Sequence, residues 1–115
     1  MKRVYIAGPF RGPDAWAVEC NIREAEALGF RVASMGAVPV IPHAMFRFFD
    51  RTLTDQFWID ATLELLRACD TIVLTPRWEM SAGARGELNE ARTRGLPVFF
   101  APGELPALAT WIRGG

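Results

Sequence analysis

The stretch Cys69–Ala91, CDTIVLTPRWEMSAGARGELNEA, decides the fold of this chain. Its apolar run Thr71–Thr75 predicts a buried strand, Pro76–Met80 predicts a turn, and a helix is expected to begin near Ser81. A strand that enters a helix through such a turn brings backbone N–H groups and the positive end of the helix dipole together. The stretch therefore predicts one strand–helix unit of an α/β protein, with a ligand site at its turn.

The flanking sequence continues this alternation of strands and helices. Further strands are predicted at Arg3–Ala7, Val38–Ile41 and Leu96–Phe100. Further helices are predicted from Ala15, capped by Asp14, to about Met35, from Thr54 or Asp55 to Cys69, and over Glu104–Ile112. Because parallel strands need crossover helices, the pattern predicts an α/β fold with a parallel sheet covered on both faces.

Two parts of these flanks are less regular. Gly36 is expected to end the first long helix, with a break at Gly29 as the alternative. The segment His43–Leu53 is rich in aromatic residues and shows no period, so it is expected to be a loop.

Length and composition predict a single domain over residues 1–115. The 13 basic and 13 acidic residues balance, which gives no electrostatic reason to expect a nucleic acid polymer or a membrane surface as partner. The N-terminus does not resemble a signal peptide. Cys20 and Cys69 show no metal-ligand spacing and are expected to be free thiols in the cytoplasm, and neither a metal nor a cofactor is expected.

The loops at the carboxyl ends of the predicted strands carry the candidate site residues. Ligands bind at these strand ends in open α/β sheets. The loops after Ala7, Ile41 and Thr75 bring Arg11, His43, Ser81 and Glu87 to this edge. Arg11 is either a solvated arginine or a clamp for phosphate or carboxylate. His43 is either a structural hydrogen-bonding residue or a catalytic one.

Glu87 is the leading candidate for chemistry. It flanks the apolar stripe Ala84, Leu88 and Ala91, so it borders the buried face of its helix. A carboxylate beside a cleft can attack a sugar carbon or act as general acid or base, and the alternative is a surface glutamate. Glycosyl chemistry usually needs a second carboxylate. Asp55 lies on the same face of its predicted helix as Thr62 and is the better-placed candidate, whereas Asp60 is expected to face water.

Three further positions support a site beside Glu87. Ser81 is both a helix N-cap and a candidate ligand for an anion, and the two roles are compatible. Gly83 and Gly86 lower helix propensity, so either helix–sheet packing or a ligand is expected to need the space beside them. The hydroxyl of Tyr5 needs a partner if it is buried.

Two motifs resemble the nucleoside 2-deoxyribosyltransferase superfamily. YIAGPFRG (Tyr5–Gly12) is similar to the strand-one motif of that superfamily, and especially of its 2′-deoxynucleoside 5′-phosphate N-hydrolases. The stretch from Ala68 to Glu87 resembles the second motif, with the same spacing from Ser81 to Glu87. It also resembles small uncharacterised bacterial and phage proteins of the same superfamily, grouped as a domain of unknown function. Together the resemblance covers roughly Arg3–Pro102.

The resemblance implies a flavodoxin-like, Rossmann-like three-layer fold with a mostly parallel sheet of four to five strands, usually in a homodimer. It implies that Glu87 attacks C1′ of the sugar and that Ser81 and the Gly8–Arg11 loop bind a 5′-phosphate. Thr62 stands where the superfamily carries an aspartate that helps protonate the leaving base, and Asp55 or His43 is the expected substitute.

These observations predict an enzyme that cleaves the N-glycosidic bond of a (deoxy)nucleoside 5′-monophosphate. Glu87 and Asp55 are the predicted catalytic residues. The predicted substrate-binding residues are Tyr5, Gly8, Pro9, Arg11, His43, Trp78, Ser81 and Gly83. The alternatives are a deoxyribosyltransferase that exchanges bases and a nucleotide-binding module without catalysis.

Overall fold

A computed structural model describes residues 1–49 and 51–114. Asp50, within the predicted His43–Leu53 loop, and Gly115, at the end of the predicted domain, lie outside these ranges. The elements in chain order are β1 (Arg3–Ala7), α1 (Ala15–Ser34), β2 (Val38–Val40), α2 (Pro42–Met45), α3 (Asp55–Arg67), β3 (Thr71–Leu74), α4 (Ala82–Thr93), β4 (Val98–Phe100) and α5 (Leu105–Ile112). A single 3-10 turn, Trp78–Met80, lies between β3 and α4.

The four strands form one parallel sheet in the order β2-β1-β3-β4. Alternate residues of β1 point to opposite faces because side chains alternate along a strand. Val4 and Ile6 pack with residues of α1 and α5, whereas Tyr5 and Ala7 pack with residues of α3 and α4. The predicted α/β class is confirmed, and the three layers agree with a flavodoxin-like arrangement.

Helix α1 runs without a break and ends as expected. Gly29 packs closely against Ile41, which follows β2, because a Cβ at Gly29 would lie 2.4 Å from Cδ1 of Ile41. Gly36 adopts a φ of +93°. Its N–H donates to the Ala33 carbonyl at 3.0 Å, and the next N–H donates to Val32, which closes the helix with a Schellman motif.

The segment after β2 differs from the prediction. Pro42–Met45 forms the short helix α2, so the expectation that His43–Leu53 is entirely a loop is wrong at its start. Pro42 occupies the first turn, where a missing N–H costs nothing and the fixed φ suits a helix. This helix is only four residues long and too short to leave a periodic pattern in the sequence.

Candidate active site

A cavity of ≈ 490 Å³ lies at the carboxyl end of the sheet. Its wall is built from the loop after β1, from α2 and α3, and from the first turns of α4. The predicted site residues that line it are Gly8, Pro9, Arg11, His43, Asp55, Ser81, Gly83 and Glu87. The structure therefore brings together in one cavity residues that are far apart in the sequence.

The centre of the site is a hydrogen bond from the Tyr5 hydroxyl to the Glu87 carboxylate. Tyr5 is fully buried on the face of β1 that packs against α4, while Glu87 keeps part of its side chain exposed in the cavity wall. Burial raises the pKa of Glu87 to about 7, and the hydrogen bond from Tyr5 acts against that rise. The pKa of Tyr5 is itself raised, first by burial and then by the charge of Glu87, so its hydroxyl stays protonated and donates.

Thr62 of α3 lies beside this pair. Its hydroxyl donates to the Ile59 carbonyl at 3.1 Å, and its side chain acts against the rise in the pKa of Tyr5. Thr62 also lines the cavity. The position at which the resemblance expects a carboxylic acid is thus inside the site but carries a hydroxyl group, which does not release a proton at neutral pH.

The N-terminus of α4 leaves open space toward the cavity. Ser81 caps this helix, because its Oγ accepts the N–H of Ala84 at 3.1 Å. A Cβ added at Gly86 would meet no described atom within 4 Å, and one added at Gly83 would meet only the Ser81 Oγ at 3.7 Å. Packing against the sheet therefore requires neither glycine, and both line the cavity.

Arg11 and Asp55 form an ion pair at the rim of the cavity. The Nη2 of Arg11 lies 2.6 Å from the Oδ1 of Asp55, and both side chains remain largely exposed. The hydrogen bond from Arg11 lowers the pKa of Asp55, with the Coulomb attraction of Arg11 as the second cause. Asp55 is thus an ionised carboxylate at neutral pH, suited to accept hydrogen bonds or orient Arg11 and unsuited to donate a proton.

His43 serves as a buried hydrogen-bond donor. Its Nε2 lies 3.0 Å from the carbonyl oxygens of both Gly8 and Pro9, so the proton is assigned to Nε2. Burial lowers the pKa of His43, which keeps the ring neutral. Among the described residues, the remaining nitrogen, Nδ1, has no hydrogen-bond partner.

Trp78 lies outside the set of described residues that line the cavity. Its ring packs at 5.5 Å from that of Phe100, between α4 and the sheet edge. Trp58 of α3 lines the cavity instead. Its indole Nε1 is buried and has no partner among the described residues.

The sequence also gave no role to Asn21 of α1. Its amide nitrogen donates to the carbonyl oxygens of Phe10 and Arg11 at 3.0 and 3.2 Å, and its oxygen accepts from Arg77 at 2.8 Å. Asn21 is 6% exposed. The sequence could have indicated this role through helical spacing, because Asn21 lies on the buried face of α1 together with Ala25 and Leu28.

Residues 1–49 and 51–114 contain no group of three or more His, Cys, Asp or Glu side chains arranged to hold a metal ion. None of the described helices is both long and apolar enough to cross a bilayer.

Comparison with known proteins identifies one family. No curated protein matches the chain. The model of one family, described as a domain of unknown function (DUF7768), matches residues 2–101, a range that holds all four strands and the whole cavity. The chain belongs to this DUF7768 family.

Proposed function

We propose that the protein is an N-glycosidase that cleaves the N-glycosidic bond of (deoxy)nucleoside 5′-monophosphates. The observation that carries the proposal is the Glu87 carboxylate, held by Tyr5 in the wall of a cavity large enough for a nucleotide. Its pKa of about 7 leaves a substantial ionised fraction at neutral pH. The resemblance of Tyr5–Gly12 and Ala68–Glu87 to the nucleoside 2-deoxyribosyltransferase superfamily supports the same chemistry.

The proposed reaction has two steps at C1′ of the sugar. In the first, an oxygen of Glu87 bonds to C1′ as the glycosidic bond breaks, and the base leaves with the bonding electron pair and takes up a proton from solvent. In the second, water attacks C1′, its proton passes to solvent, and the carboxylate is released. Positive charge develops on the sugar in both transition states, and the ionised Glu87 beside it stabilises that charge.

The phosphate of the substrate is assigned to the rim formed by Arg11, the loop after β1 and the Ser81 end of α4. A guanidinium and a helix N-terminus both attract an anion. Gly83 and Gly86 leave the room that a sugar phosphate needs along α4. Asp55 positions Arg11 at this rim, and a homodimer in the cytoplasm is part of the same proposal.

The test is a chromatographic screen of nucleosides and nucleoside 5′-monophosphates for released base. We expect release from monophosphates by the unaltered protein and its loss, by at least about 10³-fold, in Glu87→Gln. Glutamine keeps the size of the side chain and an oxygen that accepts from Tyr5. Glu90→Gln is the matched control and should retain activity, because Glu90 pairs with Arg94 and Arg67 and is not among the described residues that line the cavity. Release at the unaltered rate by Glu87→Gln would refute the mechanism.

Thr62 supports a second candidate, a nucleotide-binding module without catalysis. The hydroxyl at this position removes an expected source of the proton for the leaving base. Binding of monophosphates without release of base over long incubation would favour this candidate. Transfer of the sugar to an added second base, in place of water, would instead indicate a deoxyribosyltransferase.

A further inference from the structure

Two buried side chains hold the loop that follows β1. All four successive carbonyl oxygens of Gly8–Arg11 accept hydrogen bonds from them. His43 holds the first two, both at 3.0 Å, and Asn21 holds the second two, at 3.0 and 3.2 Å. Each of these side chains is 6% exposed. The backbone of the loop is therefore held by side chains from two different helices.

Arg77 orients the Asn21 amide. Its Nη2 donates to the Asn21 oxygen at 2.8 Å and lies 3.7 Å from the carboxylate of Glu24. With its oxygen engaged there, Asn21 can present only its NH₂ group to the loop. Arg77 belongs to the turn between β3 and α4, so Asn21 links the two loops that flank the cavity.

The tethered carbonyls determine which way the loop amides point. In a trans peptide the C=O and the following N–H point in opposite directions, and the peptide bonds of this loop are trans. The N–H groups of Phe10, Arg11 and Gly12 are therefore turned away from the two tethers. Backbone N–H groups that converge in a turn form a concave site for an anion. Phe10 and Arg11 line the cavity.

We propose that Asn21 and His43 are positioning residues that hold this loop ready for the 5′-phosphate of the substrate. The inference rests on the proposed function, since it assigns a nucleotide to the cavity. A loop that is already ordered does not lose further conformational freedom on binding, so the tethers increase affinity for the phosphate specifically. Affinity for the sugar and base does not depend on them.

The experiment measures binding to Glu87→Gln protein, which cannot turn substrate over, by isothermal titration calorimetry. The probes are inorganic phosphate, deoxyadenosine 5′-monophosphate and deoxyadenosine. We expect Asn21→Leu to weaken phosphate and monophosphate binding about tenfold, the equivalent of one or two lost hydrogen bonds, and to leave the nucleoside unchanged. Asn89→Leu, on the exposed face of α4, is the matched control and should change none of the three affinities.

A second pair of variants tests the other tether. His43→Leu should reproduce the loss, whereas His43→Gln, whose amide can donate to the same two carbonyls, should restore phosphate affinity to within about threefold. If Asn21→Leu does not fold, this pair of variants still tests whether the tethers increase phosphate affinity.

Three results would overturn the inference. Unchanged phosphate affinity in Asn21→Leu or in His43→Leu would overturn the tether while leaving a nucleotide substrate intact. Equal weakening of nucleoside and monophosphate would indicate a general structural role. Failure of the parent protein to bind phosphate at all would overturn both the tether and the proposed substrate.

Discussion

The hydroxyl of Tyr5, near the middle of a central strand, donates a hydrogen bond to the carboxylate of Glu87 on α4. The two residues are far apart in the chain and meet because Tyr5 faces the α3–α4 side of the sheet. This bond is made to the ionised carboxylate and favours it, whereas burial favours the protonated form. The balance of the two places the pKa of Glu87 at about 7.

Replacing Tyr5 with phenylalanine should therefore shift the pH dependence of base release. Without the donor, the pKa of Glu87 rises further, so the acidic limb of the kcat/KM profile should move up by about one pH unit. Activity should fall most near pH 6 and recover at high pH. Thr62→Val, which removes the neighbouring hydroxyl but leaves the Tyr5–Glu87 bond, should keep the limb in place. An unshifted limb in Tyr5→Phe would show that Glu87 is not the group that titrates.

Glu87 should also make stability depend on pH. Its pKa is raised from an ordinary value of 4.5 to about 7, so the folded state holds a proton that the unfolded state has released between these values. Its contribution is therefore fully present below pH 4.5 and is lost as the pH rises through 7. Between pH 4.5 and 7.5 the unaltered protein should lose about 2 kcal/mol relative to Glu87→Gln, a figure reduced for the partial exposure of the side chain.

Urea denaturation of both proteins across this pH range measures the effect. His43 changes the stability in the opposite direction over the same pH range. Burial lowers its pKa, so the unfolded state takes up a proton at acid pH that the folded state does not, and this destabilises the fold there. The difference between the two proteins cancels this contribution. Parallel curves for the two proteins would mean that Glu87 is not protonated in the folded state.

The sequence predicted the local elements because their signals are local. The buried run Arg3–Ala7 forms β1 at its predicted bounds, and Asp14 caps α1 as expected, with its side chain accepting the N–H of Ala17 at 2.7 Å. The loops at the strand ends meet because parallel strands share an edge. The strand-end rule therefore located most of the predicted site without any knowledge of tertiary contacts.

The parts that the sequence did not predict depend on long-range contacts. Asn21 forms hydrogen bonds with both the loop after β1 and Arg77, and no local sequence pattern predicts either contact. Trp78 was predicted to bind substrate, yet its ring packs on Phe100. Which way a turn residue points is decided by the packing of the neighbouring strand, which periodicity does not report.

The ion pair between Arg11 and Asp55 allows the two roles proposed for Asp55 to be separated. If Asp55 positions Arg11 for the phosphate, Asp55→Asn should raise the KM for monophosphates several-fold and change kcat little, because an exposed pair contributes at most about 1 kcal/mol. Steady-state kinetics on a monophosphate and its nucleoside distinguish the roles. Asp60→Asn on the exposed side of α3 is the control. A large loss of kcat would instead make Asp55 catalytic, as the sequence suggested.

Gly8 and Gly86 should respond in opposite ways to alanine. A Cβ at Gly8 would lie 2.3 Å from Oγ1 and 3.1 Å from Cβ of Thr75, a buried residue that cannot move aside, so Gly8→Ala should cost about 2 kcal/mol in the free energy of unfolding. At Gly86 the same methyl group meets no described atom within 4 Å. Gly86→Ala should therefore stabilise the fold by up to about 1 kcal/mol through helix propensity.

The stabilised Gly86→Ala protein is also the sharper test of the cavity. Its added methyl group projects from a residue that lines the cavity, so it should weaken monophosphate binding although the fold is more stable. Urea denaturation and calorimetric titration of the same Gly86→Ala sample measure the two effects separately. Because a folding defect would lower stability and affinity together, their opposite movement can arise only if the glycine keeps space for a ligand. Unchanged affinity in a stabilised Gly86→Ala protein would place the substrate away from α4.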